Sequence, residues 1–231
     1  MKTIGLLGGM SWESTALYYA QINKEVNNRL GSLHSAKIVL YSVDFDEIEK
    51  FQHAKKWEET AIVLNKAAKN IENAGADFLV ICTNTMHKIA PTIEQNIDIP
   101  ILHIADATGK KLQEKNVKKV GLLGTAFTMQ EDFYKDRISK NFDIEILIPD
   151  NEDIKIAHKI IYEELCLGYI NESSKKEYLR IMDSLAKNGA EGIILGCTEI
   201  GMLVKQKDTK IELFDTTCIH ALEAVNIALL E

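Results

Sequence analysis

Residues 74–85 read AGADFLVICTNT, and residues 189–199 read GAEGIILGCTE. Each stretch has a glycine where a helix would end, then a short apolar run, then Cys-Thr. Glycine belongs there because a helix C-cap often needs a left-handed backbone. An apolar run without alternation fits a strand covered on both faces, as in a parallel sheet. Aligning Gly75 with Gly189 gives an offset of 114 residues, and aligning Cys82 with Cys197 gives 115. The motif GLLG occurs at 5–8 and again at 121–124, an offset of 116. Each half then continues to a strand ending near an aspartate, LHIAD with Asp106 and LFD with Asp215. Four matches in one order read as two copies of a single βα lobe.

Working outward, the same kind of apolar run occurs at Thr3–Leu7, Ile38–Ser42, Ile101–His103, Val120–Leu123, Ile144–Ile148 and Ile211–Phe214. Helical periodicity lies between them, as in Ala61, Leu64, Ala68 and Ile71, and again in Leu179, Met182 and Ala186. Thr128 with Glu131, and Ser174 with Glu177, have the spacing of capping boxes at helix starts. The expected class is α/β, with two pseudo-symmetric lobes. Each is a mainly parallel sheet flanked by helices, with ligands bound in the cleft beyond the strands' carboxyl ends.

Composition narrows the function. The chain has 231 residues, 46% hydrophobic and 26% charged, with 27 Lys plus Arg against 34 Asp plus Glu, a formal charge of −7. An acidic chain without a basic block is not built for nucleic acid or an anionic membrane surface. No apolar run is long enough to span a bilayer, and the TIGLLGGMSWE opening reads as a strand and turn, not a secretory leader. A cytoplasmic, reduced setting is expected. The four cysteines, at 82, 166, 197 and 218, contain no CxxC, which removes zinc-finger and thioredoxin spacings.

Buried cysteines are usually small core hydrophobes. Cys82 and Cys197, however, occupy matching strand ends in a repeat and both precede Thr. Two thiols on opposite sides of one ligand suit inversion of a stereocentre. One removes an α-proton and the other returns a proton to the opposite face. A free thiol has a pKa of about 8.5. The site is therefore expected to lower one of the two values, while repulsion keeps the second thiol protonated. Thr83, Asn84 and Thr85 supply donors for a carboxylate at a helix start, unless they only cap it. Thr198 and Glu199 hold the matching place, where Glu199 is either a ligand for an ammonium, an aid to Cys197 or a first-turn carboxylate. The GGMSW loop at 8–12 brings Met10 and Ser11 toward a ligand or is an ordinary turn. His87, His103 and His220 read as structural. The charge-rich stretch 44–58 reads as a solvated loop that covers the cleft, with Gln52 or Lys55 facing inward.

GLLGGMSWEST, CTNTMHK, LHIAD, EELCLG and GCTEIG together make the chain resemble the aspartate/glutamate racemase family, in its broad-specificity branch. The resemblance implies lobes at 1–103 and 104–210, with a strand and helix at 211–231 returning to the first lobe. It implies no pyridoxal phosphate or other cofactor, no metal, a small amino-acid substrate and a homodimer. It gives Cys82 and Cys197 the catalytic roles. Substrate binding falls to Thr83, Asn84, Thr85, Thr198 and Glu199, with Met10, Ser11, Gln52 and Gly168 around them. Strictly aspartate-specific members carry an Arg after the second strand and a Lys before the Gly of EELCLG. Gln52 and Cys166-Leu167-Gly168 stand here instead, which argues against strict aspartate specificity. Glutamate racemases carry GCTH where GCTE stands. The competing readings are a related isomerase or decarboxylase of a dicarboxylic acid, and a non-catalytic amino-acid sensor.

Overall fold

A computed structural model describes residues 1–230. The chain divides into two units, residues 1–104 with 220–231, and residues 105–219. In the first unit the strands are β1 (Ile4–Gly8), β2 (Ile38–Ser42), β3 (Phe78–Ile81) and β4 (Ile101–Leu102). They form one parallel sheet in the order β2-β1-β3-β4. Helices α1 (Trp12–Leu30), α2 (Phe45–His53), α3 (Trp57–Asn73) and α4 (Ala90–Glu94) connect them. Helix α5 (Ile104–Glu114) leads into the second unit.

The second unit repeats the plan. Strands β5 (Lys119–Gly124), β6 (Glu145–Leu147), β7 (Gly192–Gly196) and β8 (Glu212–Asp215) form a parallel sheet in the order β6-β5-β7-β8. Its helices are α6 (Ala126–Gln130), α7 (Asp132–Phe142), α8 (Asn151–Glu163), α9 (Glu172–Lys187) and α10 (Ile200–Leu203). Helix α11 (Thr216–Leu229) ends the chain and belongs to the first unit from His220 onward. The expected return of a strand and helix together is therefore corrected. The ladder of β8 with β7 keeps the strand in the second unit, and only the helix leaves.

Strand alternation divides the first unit's core. Ile4, Leu6, Phe78, Val80 and Cys82 pack with Tyr18, Ile22 and Val26 of α1 and with Ala221, Ala224 and Val225 of α11. Leu7, Leu79 and Ile81 point the other way, onto Leu64, Ala68 and Ile71 of α3 and Ile48 of α2. Successive side chains leave opposite faces of a strand, so each strand must be apolar throughout. Burying one such Leu or Ile side chain contributes about 1.5–3 kcal/mol. Gly75 and Gly189 have φ of +91° and +97°, and both precede the third strand of their copy.

Three local expectations change. Residues 44–58 are mostly helical, not a loop: Asp44 caps α2, which buries Ile48 and Gln52 one turn apart. The cap of α6 is Thr125, whose hydroxyl accepts from Thr128 N–H, so Thr128 lies inside the helix. Helix α9 begins at Glu172, and Ser174 instead donates to Glu164 Oε2 at 2.6 Å.

Candidate active site

The register of the two sheets locates the thiols. Gly5 stands opposite Leu79, and its counterpart Gly121 stands opposite Ile193. The offset through the third strand is thus 114, which places Cys82 at the position of Gly196. Strand β7 has five residues where β3 has four, so Cys197 lies one step further along. The cysteines are neighbours in register and not equivalents. The aspartates do not correspond either. Val80 pairs with Leu102 and Ile194 with Phe214, so Asp215 matches His103. Asp106 lies in the first turn of α5, held by two 2.6 Å bonds from Arg137.

The β1–α1 turn is tied to the end of β3. Ser11 caps α1 by accepting from Ser14 N–H, and Ser14 Oγ donates to the Cys82 carbonyl at 3.2 Å. Thr15 Oγ1 donates to the Ser11 carbonyl and accepts from Gly9 N–H, both at 2.8 Å. A Cβ on Gly9 would stand 2.3 Å from the Val43 carbonyl oxygen, and Gly9 has φ of +94°. The close approach here is to the protein's own backbone, so glycine is required by the turn itself. Met10 and Ser11 are buried within this turn, and Gln52 is buried on α2.

After β3, Thr85–Ile89 form a 3₁₀ turn that runs into the five-residue α4. The helix start expected here is thus a 3₁₀ turn followed by five α-helical residues, with Thr83, Asn84 and Thr85 at its beginning. His87 braces this segment. Its Nδ1 lies 2.8 Å from the Thr83 carbonyl, an acceptor only, so Nδ1 carries the proton. Nε2 then accepts from Ile104 N–H at 3.2 Å. Burial, then the neighbouring His103 and His220, push its pKa well below the usual imidazole range. His87 stacks edge-on to both rings, at 4.5 and 5.8 Å between centroids. The structural reading of all three histidines fits this arrangement.

In the second unit, Cys197 Sγ donates to Glu199 Oε2 at 3.0 Å, and Thr198 Oγ1 donates to the same oxygen at 2.6 Å. All three residues are buried. Burial, then the Glu199 carboxylate and the Cys166 thiol, raise the Cys197 pKa well above the ordinary value. Burial alone drives Cys82 upward as well, to well above the ordinary thiol range. Neither thiol is lowered, contrary to the sequence expectation.

Burial, then Cys197, Cys166 and Glu164, raise the pKa of Tyr178, whose hydroxyl donates to the Ala157 carbonyl at 3.0 Å. Cys166 thus belongs to the surroundings of Cys197. The sequence gives it away only by its place in a turn after α8. Gly168 is exposed, with φ of +79° and open space where a Cβ would stand, and reads as a turn glycine. Ser14 was equally inconspicuous, since a serine in a first helical turn ordinarily caps it. Among the described residues there is no cluster of His, Cys, Asp and Glu that would hold a metal, and no helix is long and apolar enough to cross a membrane.

The chain matches the Asp/Glu/Hydantoin racemase family over residues 7–224. A Yersinia pestis protein solved as a candidate Asp/Glu racemase is 50% identical over the whole of both chains, with a TM-score of 0.92. An aspartate racemase homologue from Pyrococcus horikoshii is 33% identical over 99% of each chain, with a TM-score of 0.85. The broad specificity amino-acid racemase RacX of Bacillus subtilis is 22% identical over 96% of each. Repeated four-stranded units with a strand-end cysteine in each, and a family match spanning nearly the full length, lead to one conclusion: the chain belongs to the Asp/Glu/Hydantoin racemase family.

Proposed function

We propose that this protein interconverts L- and D-amino acids (aspartate, glutamate or a wider range) by two-base proton transfer between Cys82 and Cys197. One sulfur enters as thiolate and takes the α-proton. The other enters as thiol and gives its proton to the opposite face of the carbanion. The substrate leaves inverted, and the protonation states of the two sulfurs have exchanged. The observation that carries this reading is a thiol just beyond the third strand in each copy of one four-stranded unit.

Both thiols are protonated in the free chain, because burial disfavours their anions. A thiolate therefore needs a proton acceptor. Glu199 Oε2, 3.0 Å from the Cys197 sulfur, is in position to be one. The corresponding residue after Cys82 is Asn84, whose amide cannot accept a proton at neutral pH. In this reading the asymmetry gives Cys197 a carboxylate to which its proton can pass and gives Cys82 none. Thr83, Asn84, Thr85 and Thr198 offer hydroxyl, amide and backbone donors to the substrate carboxylate. Gln52 and Cys166 supply no cation for a second carboxylate, which favours a broad substrate range. Enzymes lower barriers by about 8–23 kcal/mol. Here that lowering comes from fixed donors on the carboxylate in dry surroundings.

The test is incubation of the protein with separate L-amino acids in D₂O, followed by chiral separation and mass analysis. The D-form carrying deuterium at the α-carbon is expected for at least one of them. No exchange with aspartate, glutamate or neutral amino acids overturns the reading.

A further inference from the structure

We infer that His87 is a positioning residue for the proposed reaction, whose buried ring ties the Thr83–Thr85 turn to the point where the chain leaves the first unit. The inference rests on the racemase reading in one respect: that turn is where a substrate carboxylate is held.

The turn depends on a side chain for its support. In an α-helix the Thr83 carbonyl would accept from the backbone N–H of residue 87. Here that N–H goes to the Asn84 carbonyl at 3.1 Å, one residue nearer, as a 3₁₀ turn requires. The Thr83 carbonyl is taken instead by Nδ1 of the same residue, at 2.8 Å. No side-chain bond caps the turn at Asn84. The ring of His87 thus replaces a bond that the tighter turn gives up.

The other ring nitrogen holds a different element. Nε2 accepts from the N–H of Ile104, the first residue of α5. The first N–H groups of a helix have no partner within it, so this bond also caps α5. Ile104 ends the leading segment of the first unit, and His220 begins the segment that returns to it. His220 Nε2 donates to the Leu102 carbonyl at 2.8 Å. The departing chain is therefore gripped at Leu102 by the residue where it comes back. It is gripped again at Ile104 by the residue that supports the turn.

These bonds leave the His87 ring one state. Thr83 offers an acceptor and Ile104 a donor, so the ring is neutral with its proton on Nδ1. With both nitrogens engaged, the ring is not placed to shuttle a proton, and its role is mechanical. His103 and His220 flank it, and Tyr18 donates to His220 behind them. His87 is 1% exposed. A side chain locked by packing and by two directed bonds is what holds binding groups in place. The second unit has no such brace. Five residues beyond Cys197 stands Met202, which has no N–H or O–H in its side chain.

Two substitutions separate the two bonds. The amide of Asn stands near the place of Nδ1, and the amide of Gln reaches the place of Nε2. His87→Gln therefore keeps an acceptor for Ile104 and gives up Thr83, whereas His87→Asn keeps a donor for Thr83 and gives up Ile104. A loosened turn weakens carboxylate binding alike in the ground and transition states, which raises KM more than it lowers kcat. His87→Gln should raise KM about tenfold, and His87→Asn should recover it to within about threefold of the wild type. Backbone hydrogen exchange should quicken at residues 83–87 in the Gln variant and at 104–106 in the Asn variant. Equal KM in the two variants overturns the proposal, because a ring that serves stability alone would lower the melting temperature without separating them. So does a proton–nitrogen spectrum that places the His87 proton on Nε2. Exchange and tautomer are read whether or not the chain racemises, so a failed brace and a failed racemase reading are separate results.

Discussion

The Cys197 thiol and the Glu199 carboxylate are joined by a 3.0 Å hydrogen bond inside the second unit, with Thr198 donating to the same carboxylate oxygen. The thiol is the donor in this bond, and burial and the carboxylate together raise the Cys197 pKa. In the proposed reaction the same carboxylate is the group to which the thiol proton passes.

Replacing Glu199 with Gln keeps the shape and removes the acceptor. The expected loss in kcat/KM is about 10²–10⁴-fold, the usual weight of a positioned acid or base. Glu199→Asp should restore part of it. Initial rates of D-form production measure both, and full activity in Glu199→Gln would show that the thiol deprotonates without this carboxylate.

Alkylation of the free chain should follow thiol burial. Cys82 and Cys197 have raised pKa values and little exposure, so they carry little thiolate at neutral pH. Iodoacetamide should label the partly exposed Cys166 and Cys218 first, with Cys82 and Cys197 catching up only in alkali. Peptide mass analysis against pH gives the order. The same shifts imply that stability falls as pH rises above about 8.5, because the unfolded chain ionises these thiols first.

Acid should destabilise the first unit through His220. Its Nε2 donates to the Leu102 carbonyl at 2.8 Å, so Nδ1 accepts from the Tyr18 hydroxyl at 2.9 Å. Burial lowers its pKa to about 4. The unfolded chain binds this proton near pH 6.5 and the folded chain only near 4. Stability is therefore full above 6.5 and is lost as pH falls toward 4, by up to about 3 kcal/mol. Urea titrations between pH 7 and 4 should show this slope, and His220→Gln should reduce it, leaving the part that the buried His87 contributes. A pH-independent midpoint in the wild type would contradict the assignment.

Ser14→Ala removes the hydroxyl bond to the Cys82 carbonyl. The expected cost is about 1 kcal/mol of stability. Thermal denaturation reads it, and a rise in KM at nearly constant kcat would mark Ser14 as a positioning residue.

Much of this was legible in the residues. The eight apolar runs became eight strands, and the four central ones, β1, β3, β5 and β7, are buried nearly throughout, which leaves no room for polar residues. The repeat was visible because GLLG and the Cys-Thr segments are short, rigid parts of the sheet. What escaped was set by neighbours distant in sequence. The match of Cys82 to Cys197 by residue type concealed a one-residue difference that only the ladder of β5 with β7 reveals. Residues 44–58 hid a helix because charge masked the spacing of Ile48 and Gln52. Cys166 gained meaning only once the turn after α8 folded near Cys197. The thiol shifts went the other way from expectation because burial depends on the whole fold.

The most direct test of the central claim follows both isotope and configuration in single cysteine variants. Cys82→Ala and Cys197→Ala are each incubated in D₂O with the L- and D-forms of an amino acid that the wild type inverts. Each variant should lose inversion, and any surviving exchange should be confined to one enantiomer, with opposite choices for the two variants. Inversion at wild-type rate in either variant would contradict the account.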